Sequence, residues 1–104
     1  MIRSKSIDVT AAAGKEGLED FVRGIEGKTR RVTEIWCEQA ADGILRGYLE
    51  SDQIVDVSGE CDQLVTNGVP VDLEVPVGKV FSAGWQDNAA AGITGFITVF
   101  YEET

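Results

Sequence analysis

The chain has 104 residues, 43% hydrophobic and 26% charged, with a net charge of -9 and no histidine. That length makes one domain around a single core, and the composition is that of globular material. The acidic balance argues against nucleic acid, because phosphate binding takes a concentration of Lys and Arg that the small cluster Lys28, Arg30 and Arg31 does not supply. Without His, histidine-based acid–base and nucleophilic catalysis are excluded. No apolar run approaches a membrane span, and Met1-Ile2-Arg3-Ser4-Lys5 lacks the apolar stretch of a signal peptide. Synthesis in the cytoplasm, with no membrane partner, is the expectation.

Ser6 to Ala11 alternates and opens the chain as a strand, followed by the small-residue loop Ala12-Ala13-Gly14. Leu18, Phe21, Val22 and Ile25 then fall at the spacing of an amphipathic helix. Gly17, Gly24 and Gly27 bracket them so tightly that a helix would have about two turns, near the useful minimum. A short strand from Leu18 to Arg23, or an irregular segment, is the narrow preference.

Thr29 to Gln39 is strongly β-favouring, and Asp42-Gly43 is a two-residue hairpin signal before Ile44 to Glu50 returns. A two-residue turn sets Trp36 opposite Leu49 and Cys37 opposite Tyr48. One face then holds Trp36, Leu45 and Leu49, the other Ile35, Cys37 and Tyr48. A one-residue bulge instead groups Ile35, Cys37, Leu45 and Leu49 and leaves Trp36 and Tyr48 outside. Either register leaves large groups on the second face.

Gln53 to Val57 is a short strand, and Asn67-Gly68 is a second hairpin signal that pairs Leu64 with Val71. Val71, Leu73 and Val75 alternate with Asp72 and Glu74, so one face there meets water. Pro70 and Pro76 suit an edge or a strand end. Lys79 to Gln86 is the next strand, and Asp87-Asn88-Ala89-Ala90-Ala91-Gly92 is a loop. The closing strand, Gly95 to Glu102, points Phe96, Thr98 and Phe100 one way and Ile97, Val99 and Tyr101 the other. Apolar residues on both faces imply either a central strand covered twice by its own chain or an outer face that meets another subunit. About eight short strands at regular spacing predict an all-β antiparallel sandwich or barrel.

Little in this pattern carries chemistry. Two cysteines, Cys37 and Cys61, make no metal framework and stand near no activating base, so two buried thiols are expected, with a disulfide as the alternative. Asp52 with Asp56, or Asp87 with Asn88, could offer oxygen ligands to calcium, but Asp87-Asn88 is better read as turn chemistry. The expectation is no catalytic residue, no cofactor and no metal. The aromatic residues point instead to contact surfaces.

The run Val71 to Gly78, then Val80 to Gln86, a short Asn/Ala/Gly loop and the strand from Gly95 to Glu103 resembles the end of a small viral or phage jelly-roll structural protein. The Thr33–Glu50 segment is similar to the middle strands of such domains. The resemblance implies a jelly-roll-like sandwich that works by assembling with copies of itself as a capsid, decoration, turret or spike-type component. The short length fits a minor or decorating role better than a shell protein. A non-enzymatic homo-oligomer, a trimer or a larger assembly, is therefore expected, with other virion proteins as further partners and the virion as its destination. Trp36, Tyr48, Phe96 and Phe100 are the candidate interface residues. The alternative is a small carbohydrate- or ligand-binding sandwich with Trp85, Asp87 and Asn88 at the rim; an enzyme comes third.

Overall fold

The computed structural model describes residues 1–37, 43–58, 69–87 and 92–104. Eight strands are present among them: β1 (Ile2–Ala11), β2 (Glu16–Arg23), β3 (Arg30–Cys37), β4 (Gly43–Leu49), β5 (Asp52–Ser58), β6 (Val69–Glu74), β7 (Val80–Asp87) and β8 (Ile93–Glu103). They form two four-stranded antiparallel sheets, ordered β1-β8-β3-β6 (sheet I) and β2-β7-β4-β5 (sheet II).

The pairings follow one rule. First pairs with last, second with seventh, third with sixth and fourth with fifth. The chain is thus a long ribbon folded back on itself at the β4–β5 turn and then rolled, with β3–β8 and β4–β7 pairings stitching neighbouring turns of the roll together. An eight-stranded double sheet of this order is a jelly roll.

Side-chain alternation puts one core between the sheets. Val9, Val32, Ile35, Ile97 and Val99 face inward from sheet I, and Phe21, Leu45, Phe81, Ala83 and Trp85 from sheet II. The edge strand β6 has the predicted alternation, with Val69, Val71 and Leu73 half-buried and Pro70, Asp72 and Glu74 exposed. Pro70 lies on that edge strand, where the absence of its N–H breaks no central ladder.

The preference for a strand from Leu18 to Arg23 holds, as β2, and the helical spacing of Leu18, Phe21 and Val22 comes from a bulge in it: the β2–β7 register shifts between Asp20 and Val22, so Phe21 and Val22 are both buried. One expectation changes. β3 and β4, which flank Asp42-Gly43, do not pair, for β3 lies in sheet I and β4 in sheet II; Asp42 itself lies outside the described residues. The grouping of Ile35, Cys37, Leu45 and Leu49 inside, with Trp36 and Tyr48 outside, does hold. It arises from two sheets facing each other and not from one hairpin. The Asn67-Gly68 turn and Leu64 lie outside the described residues.

The two-residue hairpin turn that does occur is Glu50-Ser51, between Leu49 and its partner Asp52. Glu50 adopts φ 56°, a left-handed conformation that β-carbon-bearing residues rarely take. The two-buried-thiols expectation also fails, because Cys37 is disulfide-bonded. The only other cysteine of the sequence, Cys61, lies outside the described residues.

Candidate functional site: the outer face of sheet I

β8 occupies the middle of sheet I, between β1 and β3, and its inward residues Ile97 and Val99 are wholly buried. Strand alternation therefore sends Phe96, Thr98 and Phe100 outward. From β3, Trp36 stands directly beside Thr98 and diagonally next to both phenylalanines. Trp36 and Phe100 make an edge-to-face contact. From β1, Ser6 pairs with Thr98 and their hydroxyls bond at 2.7 Å; Thr10 and Thr94 repeat the contact at 3.0 Å further along.

The chain does not cover this cluster. Phe96 keeps 52% and Trp36 38% of its surface exposed, and Phe100 is half-buried. Among the described residues the middle of the face is also uncharged. Ser4, Ser6, Thr98, Phe96, Phe100 and Trp36 occupy it, flanked by Asp8 beside Phe96 and Glu34 beside Phe100. Charges gather at one end, where Arg31 pairs with Asp72 at 2.7 Å and with Glu74 at 3.6 Å. In a chain of net charge -9, an uncharged aromatic centre is a distinct surface.

Tyr48 is not part of it. It lies on the outer face of sheet II, where its hydroxyl donates to Glu16 at 2.7 Å, with Gln53 Oε1 3.3 Å away. Arg46 bridges the same Glu16 and Asp56. The bond to Glu16, aided by burial, raises the pKa of Tyr48 above its ordinary value. This face is a polar network tying β2, β4 and β5 together. Strand order, invisible in local sequence, separates Tyr48 from the other three aromatic residues.

Trp85 and Asp87 are not available at a ligand rim. Trp85 is 0% exposed, packed in the core with its indole N–H directed at the Gly95 carbonyl at 3.4 Å. Asp87 is 3% exposed, and its Oδ2 accepts backbone N–H bonds from Gly14 and Gly92, each 2.8 Å long. Both glycines have positive φ, 69° and 81°, a turn geometry that glycine adopts without β-carbon strain. One buried carboxylate thus ties the loop after β1 to the loop before β8. Asn88 lies outside the described residues.

A second buried acid was not anticipated from the sequence. Glu103, near the end of β8, receives Arg3 on Oε1 at 3.0 Å and Arg30 on Oε2 at 2.8 Å. Arg30 also sits over the Tyr101 ring, 5.4 Å from its centroid. The hydrogen bond from Arg30 holds the Glu103 carboxyl below the usual carboxylate range; burial opposes this and is outweighed with the help of Arg3. The alternation of β8 had offered a signal, since an acid at position 103 shares the inward parity of Ile97 and Val99.

Among the described residues no group of His, Cys, Asp or Glu is placed to hold a metal ion, and no helix is long and apolar enough to cross a membrane. No family model matches the chain, and neither a curated protein nor a solved structure matches it.

Proposed function

We propose that this protein is a non-enzymatic structural building block that assembles with copies of itself through the outer face of sheet I. Its role would be that of a minor capsid, decoration or spike component of a virus or phage, with other virion proteins as further partners. One observation carries the proposal: Trp36, Phe96 and Phe100 stand together, uncovered, at the uncharged centre of a four-stranded sheet. Surface aromatic clusters of this kind are interface cores, and charge depletion is their usual companion.

The magnitudes agree with assembly. Covering the free parts of Trp36 and Phe96 removes about 200 Å² of apolar surface per copy, worth about 5 kcal/mol at 25 cal/mol per Å². Association itself costs about 4–15 kcal/mol, so these two rings start the contact and the rest of the face must close with them. The jelly roll supports the viral assignment only as an architecture that capsid domains share with lectins. The disulfide at Cys37 adds support, because disulfides persist outside the reducing cytosol, as on a released particle.

Sedimentation velocity from low micromolar to submillimolar concentration tests the proposal. Oligomers that dissociate on dilution, and that a Phe96→Glu or Phe100→Glu substitution abolishes while the circular dichroism stays β, are expected. A strict monomer throughout the range refutes it.

A further inference from the structure

We infer that two copies meet with the outer faces of sheet I against each other, related by a two-fold axis that passes beside Thr98; the inference rests on the self-assembly just proposed. The occupant of the face follows from charge. Every copy carries -9, so contact is least opposed where both partners lack charge. The outer face of sheet II carries Glu16, Arg46 and Asp56, joined in one network with Tyr48, and Asp20, bonded separately to Ser82. Setting the aromatic face on that one would desolvate several charges near the middle of the contact. Setting it on its own copy buries hydroxyls and rings at the middle, with Asp8 and Glu34 beside them and the Arg31, Asp72 and Glu74 group at one end.

The position of the two acids fits the same arrangement. Thr98 is the centre of the patch, with Phe96 and Phe100 along β8 and Ser6 and Trp36 on either side. Asp8 lies on the β1 side at the level of Phe96; Glu34 lies on the β3 side at the level of Phe100. A two-fold axis lying between the sheets and parallel to β8 stacks Glu34 over Ser4 of the second copy. An axis between the sheets and perpendicular to β8 stacks Asp8 over that Ser4 instead. Neither arrangement sets one of these acids on another, and both set Thr98 on Thr98.

Size agrees as well. Four strands about 4.8 Å apart and about 30 Å long give a flat footprint of about 19 by 30 Å, and its side-chain relief brings the accessible area near the roughly 800 Å² per partner of a standard interface. A contact of the same patch with itself closes at two copies. This face therefore makes a dimer, and anything larger uses a second surface.

Thr98→Cys tests the geometry. Sedimentation equilibrium on the full chain is expected to close at two copies, with a short bis-maleimide linking position 98 to position 98, because facing sheets hold their backbones about 10 Å apart, beyond the reach of a disulfide. Phe96→Glu should raise the dimer dissociation constant about a hundredfold, the loss of a central anchor. In the unmodified chain, dimerisation should shift tryptophan emission to the blue, because Trp36 becomes covered while Trp85 is already buried. That readout holds even where Thr98→Cys fails to fold. Species that keep growing with concentration and form no 98–98 link, or a dimer with neither a 98–98 link nor a blue shift, overturn the face-to-face arrangement and leave self-assembly standing. A monomer at every concentration overturns both.

Discussion

Trp36 meets Phe100 edge-on across the seam between β3 and β8, with ring centroids 6.2 Å apart and ring planes at 68°. This geometry sets the positive edge of one ring against the negative face of the other. The contact also locks the more exposed indole into one orientation. A double-mutant cycle of Trp36→Ala and Phe100→Ala, read by urea unfolding at dilute concentration, should give a coupling of about 0.5–1 kcal/mol, the lower part of the range for aromatic pairs because one ring remains wet. Additive single effects would show that the two rings only share a surface.

Asp87 should matter more to stability than any exposed acid. Asp87→Ala leaves the Gly14 and Gly92 N–H groups without their carboxylate, at an expected cost of about 2–4 kcal/mol. Asp87→Asn keeps a neutral acceptor and should cost less. Urea midpoints for the two variants check the order; equal values would mean that the charge contributes nothing.

Acid should unfold the protein partly through Glu103. Its pKa is lowered in the folded chain, so its contribution is fully present above the unfolded carboxylate value of about 4.3 and is lost as pH falls through the lower folded value. Urea midpoints measured from pH 7 to pH 2 should therefore fall below about pH 4.3. In Glu103→Gln that acid limb should be shallower. An unchanged limb would assign the acid sensitivity to other carboxylates.

Glu50→Gly should stabilise. The residue holds a left-handed φ of 56° in the β4–β5 turn, and relief of that strain exceeds the added chain entropy of glycine by about 0.5–1 kcal/mol. A higher unfolding midpoint checks this; a lower one would show that the Glu50 side chain makes a contact worth more than the strain.

Local pattern was enough for much of the fold. The alternation of Val71 and Leu73 with Asp72 and Glu74 identified a half-exposed strand, and the two-sided apolar character of Phe96 to Tyr101 identified a strand whose outer face is unusual. What local pattern lacks is the sheet to which a strand belongs. Asp42-Gly43 is a reversal signal, yet a reversal can carry the chain across the sandwich as readily as back along the same sheet. The true hairpin turn, Glu50-Ser51, carries no glycine or asparagine to announce it. Trp36 and Trp85 both sit in strands, and only the placing of Trp85 opposite Leu45 in the core between the sheets tells the core residue from the surface one. Phe21 and Val22 imitated a helix because a bulge turned two consecutive residues inward. Asp87 gave no motif, since its partners are backbone N–H groups more than seventy residues before it and five after.

The ribbon topology also fixes an order of construction. β4 and β5 are joined by two residues, whereas β1 pairs with β8 so that Ile2 meets Glu102. Pairing can begin at the fold-back point, but β1 has no partner in sheet I until β8 has been synthesised, and closing so long a loop makes folding slow for the chain length. Phe96 and Phe100 arrive with that last strand. The aromatic cluster with Trp36 is therefore assembled only when β8 takes its place between β1 and β3.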